Sequence, residues 1–256
     1  MVLKPGISSP AFALEPFESV IERVSENFKL WEIVADISQL LPDIKTNFLE
    51  LAPSYDLEYT IHAPFNDLNL AALNPELRAI AIKYLKDSIY ISNDLGINLL
   101  SFHPGHMCPS GVYAPKKVLE TNYRSIREIA QFVKDEGLEI QLALENMPLR
   151  NWTLGNTAEE ILSMINGTEL GICFDVGHAQ IVGEVENFLA IVSKIKNVHL
   201  HDNKGRRDEH LVLGEGIIDV PKVINYLKRK YDGNIIIESK NLDEGLKSME
   251  YLDKLI

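Results

Sequence analysis

The sequence predicts an α/β fold in which eight parallel strands, each followed by a helical segment or a loop, close into a single barrel. Apolar runs of strand length alternate along the chain with longer segments of helical periodicity, and no linker or charge block divides them. The length of 256 residues also suits such a barrel, which commonly needs roughly 250. Residues 1–256 are therefore expected to form one domain. A doubly wound open sheet is the alternative.

The eight strand candidates are short apolar runs, most of which end at polar residues. They are Pro5–Ser9, Leu30–Ala35, Glu58–His62, Asn98–His103, Glu139–Glu145, Leu170–Phe174, Asn197–His201 and Asn234–Glu238. Helical segments lie between several of these runs, and some open with a proline or a capping residue. The helical segments are Pro75–Leu95, Pro115–Glu136, Thr157–Ile165, Val220–Tyr231 and Leu242–Leu255. Leu40–Leu51 fits this scheme least well, because it contains Pro42 and is poorly periodic.

Composition limits the classes of partner. Hydrophobic residues make up 46% of the chain and charged residues 24%, as in an ordinary globular protein. The formal net charge of -12 disfavours a broad nucleic-acid-binding surface and favours a small substrate. The two cysteines, Cys108 and Cys173, are too few for a disulfide framework, and no apolar run has the length of a membrane span. The sequence thus predicts a cytoplasmic enzyme without a membrane partner, and it leaves the oligomeric state open.

Side chains of metal-ligand type recur at the carboxyl ends of the predicted strands and in the loops that follow. They are His62, His103, Glu145, Asp175, His178, His199, Asp208, His210 and Glu238. In a barrel all these strand ends meet at one face, so residues far apart in sequence become neighbours. Each residue alone has an ordinary explanation, such as a hydrogen-bonded core histidine. Six consecutive strands that each end in such a residue favour a divalent metal site of the Zn or Mn type.

The motifs at these strand ends carry a family resemblance. They read H-A-P, F-H-P-G, L-E-N, F-D-V-G-H-A, V-H-L-H-D-N, D-E-H-L-V-L-G-E-G and I-I-I-E. From His62 to Glu238 the set resembles the xylose isomerase-like TIM barrel superfamily, which includes sugar and sugar-phosphate isomerases and epimerases, and endonuclease IV-type AP endonucleases. The isomerase branch implies one Mn-, Co- or Mg-like ion held by Glu145, Asp175, His199 and Glu238. The endonuclease branch implies three Zn ions, and its nine ligands match the nine residues named above.

The flanks of these motifs favour the isomerase branch. After Asn146 the chain reads M-P-L-R, where the repair enzymes have a small loop that contains glycine, and after Asp175 it reads V-G-H-A rather than T-C-H-A. Phe65 is a loose match for the aromatic residue that the endonucleases insert into DNA. A few loop cations fit either the binding of one phosphate group or simple solvation, and they are too few to hold a phosphodiester backbone. They are Arg150, Lys204, Arg206 and Arg207.

The first hypothesis is therefore a divalent-metal-dependent sugar or sugar-phosphate isomerase or epimerase. Glu145 and Glu238 would transfer a proton through an enediolate. His178 and His62 would orient substrate oxygens, with Arg150, Lys204 and Arg206 as further candidates for substrate binding. The alternative is a multinuclear Zn phosphodiesterase that acts on abasic-site DNA or another phosphoester, for which the additional ligand-type residues would have a use. A metal-stabilised binding domain without activity is a third hypothesis.

Overall fold

The computed structural model describes residues 2–148 and 152–256, and its strands close into the predicted parallel barrel. The strands are β1 Leu3–Ser8, β2 Leu30–Val34, β3 Glu58–His62, β4 Leu99–Phe102, β5 Gln141–Glu145, β6 Gly171–Asp175, β7 Ile195–Leu200 and β8 Gly233–Glu238. Each strand pairs in parallel with the next, and β8 pairs with β1 in a register that places Ser8 opposite Glu238. The prediction of a closed barrel is confirmed. The doubly wound alternative is wrong, because an open sheet has two unpaired edges.

The helices of the described residues follow the strands along the chain. They are α1 Phe17–Ser25, α2 Leu41–Leu51, α3 Pro75–Asp94, α4 Pro115–Asp135, α5 Ala158–Ile165, α6 Val176–Val182, α7 Val185–Ala190, α8 Val220–Lys230 and α9 Leu242–Leu252. The five predicted helices all occur, with ends that differ by three residues or fewer. Within the described ranges, no helix combines the length and the apolar character needed to cross a bilayer.

The structure contains three helices that the sequence does not predict, and a fourth helix, α2, in a segment whose sequence pattern is weak. Segment α2 is a regular helix although it contains Pro42, because a proline in the first turn lacks only an N–H group that has no partner there. The predicted helices do not include α1, α6 and α7. The strand β6 runs one residue further than predicted, so that Asp175 is its last residue and also caps α6 by accepting the backbone N–H of His178 at 2.6 Å.

Apolar side chains fill the layer between strands and helices, while the inside of the barrel is largely polar towards its carboxyl end. In the outer layer, Phe17 stacks on the buried Trp31 with ring centroids 5.5 Å apart. Inside the barrel, Leu99, Ala143 and Cys173 form a small apolar cluster of their own. Polar side chains lie across the same interior, since Asn197 of β7 donates to Glu32 of β2 at 2.7 Å and to Ser101 of β4 at 2.9 Å. The site is built on this polar layer.

Candidate metal centre

All nine predicted ligand-type residues converge at the carboxyl face of the barrel, in one continuous network of contacts. The network also contains two residues that the sequence analysis left out, His201 and Glu32. Six of the seven histidines of the chain therefore belong to it, and the seventh, His106, lines the adjoining cavity. Because the strands run in parallel, their carboxyl ends bring together side chains that are far apart in sequence.

His62, His103 and Glu145 form the first group of possible ligands. The Nε2 atom of His62 lies 3.2 Å from Nε2 of His103 and 3.2 Å from Oε2 of Glu145, and the third side of the triangle, from His103 to Glu145, measures 3.5 Å. Zinc bonds to nitrogen of about 2.0–2.1 Å in a tetrahedron place neighbouring ligand atoms about 3.3 Å apart. The spacing of this triangle fits such an ion.

His199 joins the two carboxylates that end β5 and β8. Its Nδ1 atom lies 3.4 Å from Oε2 of Glu145 and 3.2 Å from Oε1 of Glu238. Asp175 stands beside His199 on the neighbouring strand, directly opposite it in the register of β6 and β7. The four residues that the isomerase resemblance implies as ligands therefore lie next to one another.

Asp208 connects a third group in the loop after β7. Its Oδ2 atom lies 3.3 Å from Nε2 of His178, and its Oδ1 atom lies 3.1 Å from Nε2 of His210. His210 adopts a φ of 45°, which costs free energy in a residue other than glycine and is typical of functional sites. His201 stacks on His210 with ring centroids 4.1 Å apart and directs Nε2 towards Asp175 and Asp208, each at 3.4 Å.

Oxygen atoms close to the far side of two histidine rings indicate which nitrogen faces the carboxylates. Nδ1 of His62 lies 2.9 Å from the carbonyl oxygen of Ala63, and Nε2 of His199 lies 2.7 Å from Oε1 of Glu32. A carbonyl or carboxylate oxygen only accepts, so these ring nitrogens carry the protons. The opposite nitrogen of each ring then presents a lone pair to the carboxylate of Glu145.

His178 follows the same rule, since its Nδ1 lies 2.9 Å from the carbonyl oxygen of Asn146 and leaves Nε2 to face Asp208. A lone pair that faces a carboxylate needs a proton or a metal ion between the two. Several buried atoms of the site also make no hydrogen bond within the described residues. They are Oδ2 of Asp175, Nδ1 of His199, Nε2 of His201 and Nδ1 of His210. This donor set of imidazoles and carboxylates fits a divalent ion.

The pKa values of the site residues are shifted by burial and by the charged groups close to them. Burial raises the pKa of Glu145, but His103 and His199 outweigh burial and hold that pKa well below its usual range. Burial lowers the pKa of His178, yet the nearby Asp175 and Asp208 raise it to about 10. Burial also raises the pKa of Glu238 above its usual value. Protons on the histidines offset the buried carboxylates in the same way as a divalent ion would.

A cavity of about 490 Å³ opens beside these residues. Its size suits a small molecule. Phe65 forms part of its wall and packs against the rings of His62 and His103, with centroids 5.2 and 5.1 Å away. Phe65 therefore faces the site. An aromatic residue that enters DNA would instead project from the surface.

The predicted substrate-binding cations have different positions. Lys204 and Arg206 are exposed and do not belong to the lining of the cavity, and Arg207 is exposed beside them. Arg150 lies outside the described residues. Among the lining residues that the structure describes there is no lysine or arginine. A direct contact of Lys204 and Arg206 with a substrate thus has no support in their placement and stays a prediction.

Comparison with known proteins agrees with this geometry. The model of one protein family, described as xylose isomerase-like TIM barrel, matches residues 21–255. The chain belongs to this family. A solved structure of a D-tagatose 3-epimerase-like protein shares 35% identity and a TM-score of 0.89 over 98% of this chain and 96% of that one.

Two relatives by sequence show how widely the family extends. An uncharacterised protein of Methanocaldococcus jannaschii is 36% identical over 99% of this chain and 89% of that protein. A probable endonuclease 4 of Aquifex aeolicus is 29% identical over 74% of this chain and 72% of that protein. The family thus contains members with names from both branches, and membership alone does not select a reaction.

Sequence reasoning missed His201 and Glu32 for different reasons. His201 lies one residue beyond β7, and the spacing H-x-H with His199 was a signal that both imidazoles point to the same side of an extended segment. Glu32 stands within the apolar strand L-W-E-I-V, where a fully buried carboxylate is rare without a partner. Its partners come from β3 and β7, and no local pattern reveals them.

The loop that carries Asp208 and His210 is held by one buried carboxylate, that of Asp202. Asp202 accepts four backbone N–H groups of this loop. They belong to Asn203 at 2.8 Å, Gly214 at 3.0 Å, Gly216 at 2.9 Å and Ile218 at 3.2 Å. Gly216 is needed for this approach, because a Cβ atom there would lie 2.1 Å from Oδ1 of Asp202. The motif L-G-E-G in this family member therefore has a structural explanation.

Asp202→Ala is expected to destabilise the protein by about 3 kcal/mol, because each buried amide left without an acceptor costs about 1–3 kcal/mol. Two of the four donors, Asn203 and Ile218, are buried and would have no water in place of the carboxylate. Urea unfolding of the metal-free protein measures the loss. Asp219→Ala is the matched control, since Asp219 caps only the first turn of α8 and its removal should cost about 1 kcal/mol. Equal losses in the two variants would contradict this account of the loop.

Proposed function

We propose that this chain is a divalent-metal-dependent isomerase or epimerase that acts on a small sugar or sugar phosphate. The observation that carries the proposal is the pair of carboxylates Glu145 and Glu238, which approach Nδ1 of His199 from β5 and β8 at 3.4 and 3.2 Å. Both carboxylates also line the cavity. A substrate carbon between them would have a proton acceptor on one side and a proton donor on the other, as an epimerisation requires.

The roles of the other residues follow from their positions. Asp175 and His199, with the two glutamates, would hold the ion. A divalent ion bound there draws electron density from a substrate carbonyl and an adjacent hydroxyl, and so makes the neighbouring C–H group more acidic. His62 and His178 line the cavity and would orient the substrate hydroxyls by hydrogen bonds. Phe65 would close one side of the site and exclude water from the carbon that loses its proton.

The cavity favours a small substrate over a polyanion. Its volume of about 490 Å³ is sufficient for a sugar, and its wall is formed by side chains such as Phe65, Met147 and Trp152. A DNA backbone needs lysines and arginines along its path, and the described lining offers none. The formal net charge of -12 also opposes the binding of a polyanion. Similarity to a protein described as D-tagatose 3-epimerase-like agrees with this class of substrate.

One observation favours a second candidate, a multinuclear phosphoesterase. Asp208 lies within 3.3 Å of both His178 and His210, and His62 with His103 forms a further group beside Glu145. These groups match the additional ligands that the endonuclease resemblance implies, and a one-metal isomerase does not require them. Two or three ions close together would stabilise the attacking and leaving oxygens of a phosphoester.

Exchange of a carbon-bound proton with solvent tests the proposed function. The protein, loaded with Mn, Co, Mg or Zn, would be incubated with a panel of ketoses and ketose phosphates in D2O and followed by NMR. We expect at least one substrate to take up deuterium at the carbon next to its carbonyl and to yield an epimer or an isomer. Chelator-treated protein is the control and should show no exchange. Cleavage of abasic-site DNA or a simple phosphodiester, without any exchange, would instead support the second candidate.

A further inference from the structure

Glu32 is a fully buried carboxylate inside the barrel, beneath the residues of the metal centre. Its relative exposure is 0%, and its position is the middle of β2. Such a group costs several kcal/mol to bury unless it gains partners. Oε2 of Glu32 accepts from Asn197 at 2.7 Å and from Thr60 at 3.1 Å, and Oε1 lies 2.7 Å from Nε2 of His199. The contact with His199 links this buried layer to the site above it.

This contact favours one tautomer of His199. A lone pair on Nε2 of His199 would be repelled by the carboxylate oxygen of Glu32 2.7 Å away, so the contact favours a proton on Nε2. Nδ1 then has its lone pair directed at the space next to Glu145 and Glu238. The pairing of a ligand histidine with a carboxylate on its far side also makes the other ring nitrogen a stronger base.

Asn197 makes Glu32 necessary for this tautomer. The amide nitrogen of Asn197 lies 3.2 Å from Nε2 of His199, and it also donates to Glu32 and, at 2.9 Å, to Ser101. Without the carboxylate, the freed N–H of Asn197 would point at Nε2 of His199. A donor at that position favours a lone pair on Nε2, which moves the ring proton to Nδ1. Nδ1 would then no longer serve as a metal ligand.

We propose that Glu32 is a positioning residue, which holds His199 in the tautomer whose Nδ1 faces Glu145 and Glu238 and thereby sets the affinity of the centre for a divalent ion. The inference rests on the metal site of the proposed function. It adds a residue that neither the sequence motifs nor the described lining of the cavity contains. Its effect reaches the ion only through the ring of His199.

Metal affinity of Glu32→Gln tests this role without any assay of activity. The variant keeps the size of the side chain but replaces one acceptor with a donor next to His199 and Asn197. We expect the dissociation constant for Zn, measured by competition with a chromophoric chelator, to rise about 10- to 100-fold. Thr60→Val is the matched control, because it removes another hydrogen bond of Glu32, at 3.1 Å, and leaves His199 untouched. It should change the constant by less than about threefold.

A second measurement needs no variant and therefore does not depend on the folding of Glu32→Gln. In the Zn-loaded wild-type protein, nitrogen-15 NMR of the histidine rings should show the proton of His199 on Nε2. A proton on Nδ1 would overturn the inference and also the role of His199 as a ligand through that atom. An equal loss of affinity in Glu32→Gln and Thr60→Val would overturn the inference while the proposed function stands. A wild-type protein that binds no divalent ion would overturn both.

Discussion

Glu145→Gln and Glu238→Gln are each expected to lower the rate of isomerisation at least about 100-fold while the barrel stays folded. Glutamine keeps the shape of the side chain and one oxygen, but it neither accepts nor returns a proton at neutral pH. Both carboxylates line the cavity, and in the proposed mechanism each serves one side of the substrate carbon, so the loss of either one leaves that side without its proton carrier. Steady-state rates and solvent exchange in the metal-loaded variants measure the effect.

Glu58→Gln is the control for these two variants. Glu58 begins β3 at the opposite end of the barrel, where it is exposed and pairs with Lys4 at 2.7 Å. An exposed ion pair of this kind contributes little to stability, and it lies far from the carboxyl face. The variant should keep the wild-type rate. If Glu145→Gln or Glu238→Gln retains more than a few per cent of that rate while Glu58→Gln is normal, the mechanism with two carboxylates is wrong.

The position of the site could be predicted because it depends on topology and not on fine geometry. His62 and Glu145 end their strands in the sequence as in the structure, and parallel strands bring such ends together at one face. Predicted and observed strand ends differ by one or two residues, as at Asp175, and these differences do not change the predicted position of the site. The repeated pattern of an apolar run that ends in a polar residue is sufficient to predict the face of the barrel on which the site lies.

Contacts across the inside of the barrel could not be predicted in the same way. The partners of Glu32 on β3 and β7 lie 28 and 165 positions away in sequence, and their approach depends on the stagger of strands around the barrel. The direction of loop side chains was also beyond the sequence. Lys204 and Arg206 follow β7 closely, yet both are exposed and stand apart from the cavity lining. Proximity in sequence to a site residue does not fix the side to which a loop residue turns.

The pair Asp208 and His210 provides the test that separates the two candidate functions. The double variant Asp208→Ala/His210→Ala is expected to retain the ion at Glu145, Asp175, His199 and Glu238 and to lose no more than about tenfold in isomerisation rate. Asp208 takes part in two contacts with imidazoles, at 3.3 Å to His178 and 3.1 Å to His210. Protonated histidines would satisfy its carboxylate as ion pairs, so the pair does not require a metal of its own.

Metal content by mass spectrometry, together with the exchange rate, measures this prediction. Glu209→Ala is the matched control, because Glu209 lies between the two residues and its carboxylate accepts the backbone N–H of Lys204 at 2.8 Å. If the control is normal and the double variant loses a whole ion with nearly all activity, the loop supplies ligands to a multinuclear centre. That result would favour the phosphoesterase over the isomerase, since a multinuclear phosphoesterase needs the additional ion for its activity.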